Sequence, residues 1–410
     1  MSYPPSTQPI FRSFWMGGFE SSCHINGRRE RLDLIRTTQH DLQAGSDYQL
    51  LHSVGILTAR DAMRWPLIDH GGDFNFSSLI PMAEAARDQG VQVIWDLCHF
   101  GWPEDIDVFS GRFIERFAAY CEAAAQVIAA IDPSPPVYVP VNEMSFLSWA
   151  AGDVGWIFPH VHGHGFELKC QLVRAAIAGM DAVRKVDPRA RFVHVEPVIH
   201  IVPRRGEIDR DRDVWGHRDA QFQALDMLAG RLCPELGGHP RYVDIVGVNF
   251  YHDNQWELDG AKLSWADEPR DERWMPLHSL LGEVWYRYRR PLFVSETGHF
   301  GCGRARWIEE VAAEIHQAHT HGIPVEGACL YPIIDRPDWE NPERWHNVGL
   351  WDLSADHGGH LWRVPEPASL KAFRRAQQKV RRHGRAAPIG VGGAQSAAHE
   401  LYADLASGAG

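Results

Sequence analysis

Two glutamates stand where the chain could carry out paired carboxyl chemistry: Glu143, which follows Val137-Tyr138-Val139-Pro140-Val141-Asn142, and Glu296, which follows Leu292-Phe293-Val294-Ser295. Each closes an apolar, β-branched run, and in parallel barrels the chemistry sits at the C-terminal ends of strands. A pair of carboxyls suits cleavage of a glycosidic bond, where one protonates the leaving oxygen and the other attacks the sugar or activates water. Taken singly, a strand-end Glu serves as readily in a salt bridge or a helix cap. Asn142 tips the balance, because an amide directly before an acid can hydrogen-bond a sugar 2-hydroxyl as oxocarbenium character develops.

The elements that must position these groups are legible as eight apolar or β-branched runs: 13–20, 56–63, 91–98, 136–143, 191–198, 243–251, 291–298 and 325–334. Helical periodicity fills the stretches between them, the pattern of repeated βα units and a parallel sheet. Their starts lie roughly 35 to 55 residues apart, close to what strand, loop and helix need together. We therefore expect an α/β fold, a (β/α)8 TIM barrel in a single domain over 11–384, with an extension at 1–10 and a Gly- and Ala-rich flexible tail at 385–410. The stripe Phe113, Phe117, Tyr120, Ala124 predicts a helix over 111–131, and Leu172, Ala176, Val183 predict one over 166–186, stopped by Asp187-Pro188. A doubly wound sheet would begin with a glycine-rich phosphate turn, which does not follow the first run. In an eight-stranded barrel the fourth and seventh strands face each other across the mouth, so their carboxyls can oppose at the ~5 Å that retention of configuration requires.

The ordered motifs resemble glycoside hydrolase family 1, in the clan with its acid/base on strand four and its nucleophile on strand seven. Asn142-Glu143 and Glu296-Thr297-Gly298 mark the clan; other segments point to the family. Gly17 to Gly27 resembles the strand-one segment, and Arg60 through Trp65-Pro66 the strand-two segment with an arginine beside the nucleophile. His99-Phe100-Gly101-Trp102-Pro103 is similar to a strand-three motif whose histidine binds the glycone. Asn249-Phe250-Tyr251 resembles a strand-six motif whose tyrosine hydrogen-bonds the nucleophile. Asp335 to Trp339, with Gly349-Leu350, resembles the stretch after strand eight that grips the far hydroxyls of the sugar. The likeness spans roughly residues 11 to 376. It implies a retaining, exo-acting, β-glucosidase-like enzyme using double displacement, with Glu143 as acid/base and Glu296 as nucleophile. The chain departs from the pattern at His24, Tyr331-Pro332, Asp338, Met144 and Thr297, which makes it a divergent member and leaves the sugar open, since specificity lives in contacts to individual hydroxyls.

On this reading Arg60 and the Tyr251 hydroxyl hold Glu296 ionised, while Glu143, lacking such a partner, keeps the higher pKa an acid needs. His24 and His99 are neutral hydrogen-bonding groups for sugar hydroxyls. Trp339 stacks on the ring, with Tyr331 and Asp338 beside it. Glu196-Pro197 and His200, at the end of the fifth run, are further pocket candidates.

The formal charge of −12, with no Lys/Arg block, gives no electrostatic reason to bind phosphate backbones. Neither a signal-peptide core in residues 1–10 nor a bilayer-length apolar run is present, so a cytoplasmic protein without membrane or nucleic-acid partners is expected. Its partner would be a small carbohydrate or an aryl or alkyl β-glycoside, and no cofactor is implied. Seven scattered cysteines, Cys23, Cys98, Cys121, Cys170, Cys233, Cys302 and Cys329, read as reduced, buried thiols. The His160-Val-His162-Gly-His164 run motivates a metal-dependent rival, but in such barrels His-x-His closes strand one, so no metal site is expected. A transglycosidase would use the same residues as a hydrolase, and a sugar-binding barrel without chemistry would have no need of an opposed carboxyl pair.

Overall fold

The computed structural model describes residues 9–207 and 210–381. Eight parallel strands close into a barrel: β1 (Trp15–Gly18), β2 (Thr58–Ala62), β3 (Gln92–Asp96), β4 (Val137–Val139), β5 (Arg191–Pro197), β6 (Ile245–Asn249), β7 (Leu292–Thr297) and β8 (Val325–Leu330). Neighbours in the chain are neighbours in the barrel, and β8 returns to pair with β1, Trp15 opposite Ala328. Each expected run contains one of these strands. The fold is the (β/α)8 barrel, and all eight strands are shorter than their runs: the last residues of each run turn into the mouth, and the first residues of most belong to the loops at the other end.

Alternation across the strands builds two apolar layers. Inward go Met16, Ile94, Val137, Val139, Val193, Val195, Ile245 and Phe293, closed from below by Phe11, whose ring lies 4.8 Å from that of Phe293. Outward go Ala59, Val93, Trp95, Tyr138, Phe192, Val246 and Val294, against the surrounding helices. Those helices are α1 (His40–Ser53), α2 (Ile80–Asp88), α3 (Gly111–Ile131), α4 (Gly165–Val186), α5 (Gln223–Leu228), α6 (Leu277–Tyr288), α7 (Arg304–Thr320) and α8 (Pro367–Arg381), one after each strand. The chain leaves α4 at Asp187, whose backbone is extended, as the following proline requires.

Additional pieces decorate the rim, among them a parallel pair His200–Val202 with Gln255–Glu257 and a hairpin Trp351–Ala355 with Leu361–Pro365. Of the 1–10 extension only Pro9 and Ile10 are described, and the 385–410 tail lies outside the described residues. Among the described residues no helix is long and apolar enough to cross a membrane. The cysteines carry no disulfide, but not all are buried: Cys302 and Cys233 lie in turns, exposed and half-buried respectively, and Cys170 is half-buried on α4.

Candidate active site

The mouth is organised around Arg60, which points inward from β2 and is 1% exposed. Its guanidinium forks between two carboxylates. Nε and Nη2 donate to Asp96 of β3 at 3.0 and 2.6 Å, and Nη1 donates to Glu296 at 2.5 Å. Nη2 also donates to the Asn142 side-chain oxygen at 2.6 Å. Rigid, planar donor geometry is what lets one side chain fix three partners at once.

Glu296 sits where β7 breaks register with both neighbours, between Val294 and Glu296 against β6 and between Val294 and Thr297 against β8. Such irregularities re-aim side chains. Here Ser295 and Glu296, consecutive residues, both bond within the mouth: Ser295 Oγ donates to Asn249 Oδ1 at 2.7 Å, while Glu296 accepts from Arg60 and, at 2.8 Å, from the Tyr251 hydroxyl.

Glu143 is placed differently. Its backbone is left-handed, with φ +45°, a conformation a non-glycine residue adopts at some cost, and it leads into a short helix, Met144–Leu147. The turn is pinned on both sides, Asn142 N donating to Cys98 O and Glu143 N to Val195 O. Contrary to expectation, Glu143 does have a hydrogen-bond partner: the Asn249 amide nitrogen donates to its Oε1 at 2.6 Å. Asn249 closes β6 and so reaches Glu143 from the barrel wall between the two glutamates. Burial and the nearby Glu296 and Glu196 nevertheless push the Glu143 carboxyl well above the ordinary carboxylate range, the Asn249 bond and Arg60 opposing.

The strand-three and strand-eight groups join the same ring. His99 Nδ1 meets Asp96 at 2.7 Å, its Nε2 lies 3.3 Å from the Tyr331 hydroxyl, and the Asn142 amide is 3.5 Å away. Tyr331 also takes a bond from Ser21 N, so β8 is tied to the segment after β1. That segment brings in His24, 1% exposed and with neither ring nitrogen bonded, edge-on to Trp339 at 4.7 Å. Burial, with His99, Arg31 and His160 nearby, pushes the His24 imidazole down to about 3, so it is neutral. Trp339 is half-buried, with its indole N–H also unbonded.

Glu143, Glu296, Arg60, Asn142, Tyr251, His99, Tyr331, His24 and Trp339 thus come together. Asp338 does not join them: its Oδ1 accepts from the Glu340 and Asn341 backbone and its Oδ2 faces His346 at 3.1 Å, so its carboxylate is committed to its own loop. His200 is not at the end of β5 but in the outer strand pair. Glu196 does lie at the mouth, accepting from Ser145 N at 3.1 Å, beside the turn that carries Glu143, and burial pushes it up to about 7 against the pull of Lys169. The three histidines of the 160–164 run have separate surroundings, His160 on Gly155 O and His164 on Glu167, and among the described residues no group of three side chains could hold a metal ion.

One group of the mouth, Asp96, escapes sequence reasoning, and three more, Asn249, Glu20 and Arg336, show there only inside motif segments. Asp96 closes an apolar strand as the two glutamates do, so the same signal marks it. Glu20 ends the expected run 13–20 and so bears that mark too, but β1 stops at Gly18 and leaves it in a loop; Arg336, in the loop after β8, bears none.

The barrel carries Glu143 after β4 and Glu296 on β7, close enough for the charge of Glu296 to act on Glu143. The solved structures it resembles include a β-glucosidase from Thermotoga maritima in complex with deoxynojirimycin (14% identity, 91% of this chain and 99% of that one, TM-score 0.71) and a family 1 β-glucosidase from Thermotoga maritima (14%, 83% and 87%, TM-score 0.68). Others are a β-glycosidase from Pyrococcus horikoshii (17%, 92% and 99%, TM-score 0.69) and the AHE enzyme from Alicyclobacillus herbarius (16%, 92% and 100%, TM-score 0.71). At these identities the likeness is one of fold: the chain has the fold of the family 1 β-glucosidases. No family model matches the sequence, and no curated protein matches it.

Proposed function

We propose that the chain is a retaining, exo-acting β-glycosidase, β-glucosidase-like in reaction, working by double displacement. The observation that carries this reading is the inequality of the two glutamates. Glu296 is paired with a buried guanidinium and a phenol, which stabilise a carboxylate that will attack, while Glu143 is buried with only an amide donor and has its pKa raised, which suits an acid. In the first step Glu296 bonds to the anomeric carbon as the bond to the leaving oxygen breaks, and Glu143 gives that oxygen its proton. In the second step Glu143 takes a proton from water, which attacks the same carbon and releases Glu296.

The supports of the site fit the same reading. His24 is neutral, so it can donate to one sugar hydroxyl and accept from another, and Trp339 offers an aromatic face. Asn142 has its oxygen committed to Arg60, which leaves the amide N–H groups to face a 2-hydroxyl. Replacement variants assayed on p-nitrophenyl β-glycosides test the assignment. Glu296→Ala is expected to lower kcat by on the order of 10⁴-fold, about 5.5 kcal/mol, with azide restoring turnover and giving the inverted α-glycosyl azide. Glu143→Ala with azide should instead give the β-glycosyl azide. The same anomer from both variants, or no rescue of either, would sink the assignment.

A further inference from the structure

Beyond the ring of expected residues, the wall between β1 and β8 carries a charged pair. Glu20 is 5% exposed, and its Oε1 accepts from Ser22 N at 3.2 Å and Ser22 Oγ at 2.6 Å. Its Oε2 lies 3.1 Å from Arg336 Nε. That N–H is not aimed at the carboxylate, so the two charges compensate each other while the Nε proton stays unbonded. The Arg336 guanidinium lies over the Trp339 ring, 5.9 Å from its centre, and Trp339 is edge-on to His24. Four buried polar atoms in this one patch have no partner: Arg336 Nε, Trp339 Nε1 and both nitrogens of His24.

Buried polar atoms without partners are costly, and so many side by side mark a place where a ligand supplies the missing bonds. The inventory is specific. Three donors and at least two acceptors, one of them a carboxylate, fit hydroxyl groups, each of which both donates and accepts. A carboxylate on the ligand would confront Glu20, and an ammonium would confront Arg336. We propose that Glu20 and Arg336 form a charge-compensated clamp that selects a neutral glycone by its hydroxyls remote from the anomeric carbon, Glu20 accepting and Arg336 donating. The carboxylate for those hydroxyls then comes from the segment after β1, which matches the commitment of Asp338 to its own loop. This rests on the glycosidase reading only for the orientation of the sugar.

The experiment combines turnover and binding. Wild type, Glu20→Gln, Glu20→Ala and Arg336→Gln are compared on p-nitrophenyl β-glucoside, its 4-deoxy and 6-deoxy analogues and the β-glucuronide. Binding of the parent and deoxy sugars to the Glu296→Gln chain, with and without the Glu20 change, is measured by calorimetry. Removing a clamped hydroxyl should weaken wild type by ~10- to 100-fold, as expected for hydrogen bonds to charged groups, and should cost Glu20→Ala little further. Glu20→Gln leaves Arg336 uncompensated, so the ratio of glucuronide to glucoside kcat/KM should rise at least ~10-fold. Arg336→Gln should not raise that ratio. Equal deoxy penalties with and without Glu20, in variants that melt like wild type, would overturn the clamp, as would ready turnover of the glucuronide by wild type. Sugar binding that depends on Glu20 without hydrolysis would sink the catalytic reading and leave the clamp standing. Absence of both binding and turnover for every glycoside would overturn both.

Discussion

Arg60 and Asp61 are adjacent on β2 and point to opposite sides of the barrel wall, and each is the hub of a buried charge network. Outside the wall, Asp61 accepts from His40 Nε2 at 2.8 Å, from the Tyr48 hydroxyl at 2.8 Å and from its neighbour's N–H. His40 Nδ1 meets Asp47 at 2.7 Å, and Asp47 takes a two-pronged bond from Arg363 at 2.7 and 2.8 Å. His40 itself stacks on Phe19, with ring centres 3.6 Å apart. This network is closed, since both ring nitrogens of His40 and all four oxygens of the two aspartates are bonded. Inside the wall, the Arg60 network is satisfied at its centre but open at its rim, where His24, Trp339 and Arg336 present unbonded atoms. Both networks are buried at their hubs and charged; they differ in completeness. A closed network binds the fold together, and an open one waits for a ligand.

Breaking each hub tests the distinction. The largest effect is expected from Arg60→Met, which leaves Asp96 and Glu296 buried without their cation: kcat/KM should fall by on the order of 10³-fold or more, with about 3–5 kcal/mol lost in denaturant stability. Asp61→Ala should cost a similar ~3–5 kcal/mol, while kcat in the folded fraction stays within about two-fold. A fall in kcat as large as that of Arg60→Met would show that the outer network is not merely structural.

The outer network should also give stability a pH signature. Although burial opposes it, Asp61 and Asp47 raise the His40 imidazole to about 9. A folded-state pKa above the unfolded value of ~6.5 means that the contribution, on the order of 3 kcal/mol, is fully present below ~6.5 and is lost as pH rises through about 9. Denaturant midpoints at about pH 6 and pH 9.5 should therefore diverge more for wild type than for His40→Gln; equal divergence would count against it. The open rim predicts a smaller change with the opposite balance: His24→Ala should raise KM about 10-fold yet shift stability by no more than about 1 kcal/mol, because no internal bond is lost. A loss of several kcal/mol would place His24 with the closed network.

Which of these groups the sequence discloses depends on where they sit. An apolar or β-branched run and an acid at its end are local signals, so the eight strands, Glu143 and Glu296 are legible and Asp96 carries the same mark, whereas Arg60 is found only through the resemblance of the strand-two segment. The direction of Glu296 is not, because it depends on a register shift set by both neighbouring strands. Asn249 is visible as part of a motif, but its bond to Glu143 joins residues 106 positions apart. The Glu20–Arg336 pair spans the closure between the first and last strands, and no spacing within either segment reveals it. His200 is misplaced by sequence for a related reason: the chain leaves β5 and immediately starts a second, outer strand pair, so an apolar run that looks continuous belongs to two sheets.

The finest test of the mouth concerns Glu196, which accepts from Ser145 N beside the turn that carries Glu143. Burial pushes its carboxyl up to about 7, so it gains its charge near neutrality, where it then acts on Glu143. A negative charge there disfavours ionisation of Glu143, after the larger contributions of burial and Glu296, and so extends the range over which Glu143 keeps its proton. Glu196→Gln removes the charge and retains an oxygen for Ser145. The alkaline limb of kcat/KM, which reports loss of the Glu143 proton, should therefore move to lower pH by about half a unit to one unit. The acid limb and kcat at low pH should be unchanged, which separates an electrostatic effect from a displaced turn. A uniform fall in rate at every pH would assign Glu196 to holding the turn alone, and an unmoved limb would remove it from the electrostatics of the acid.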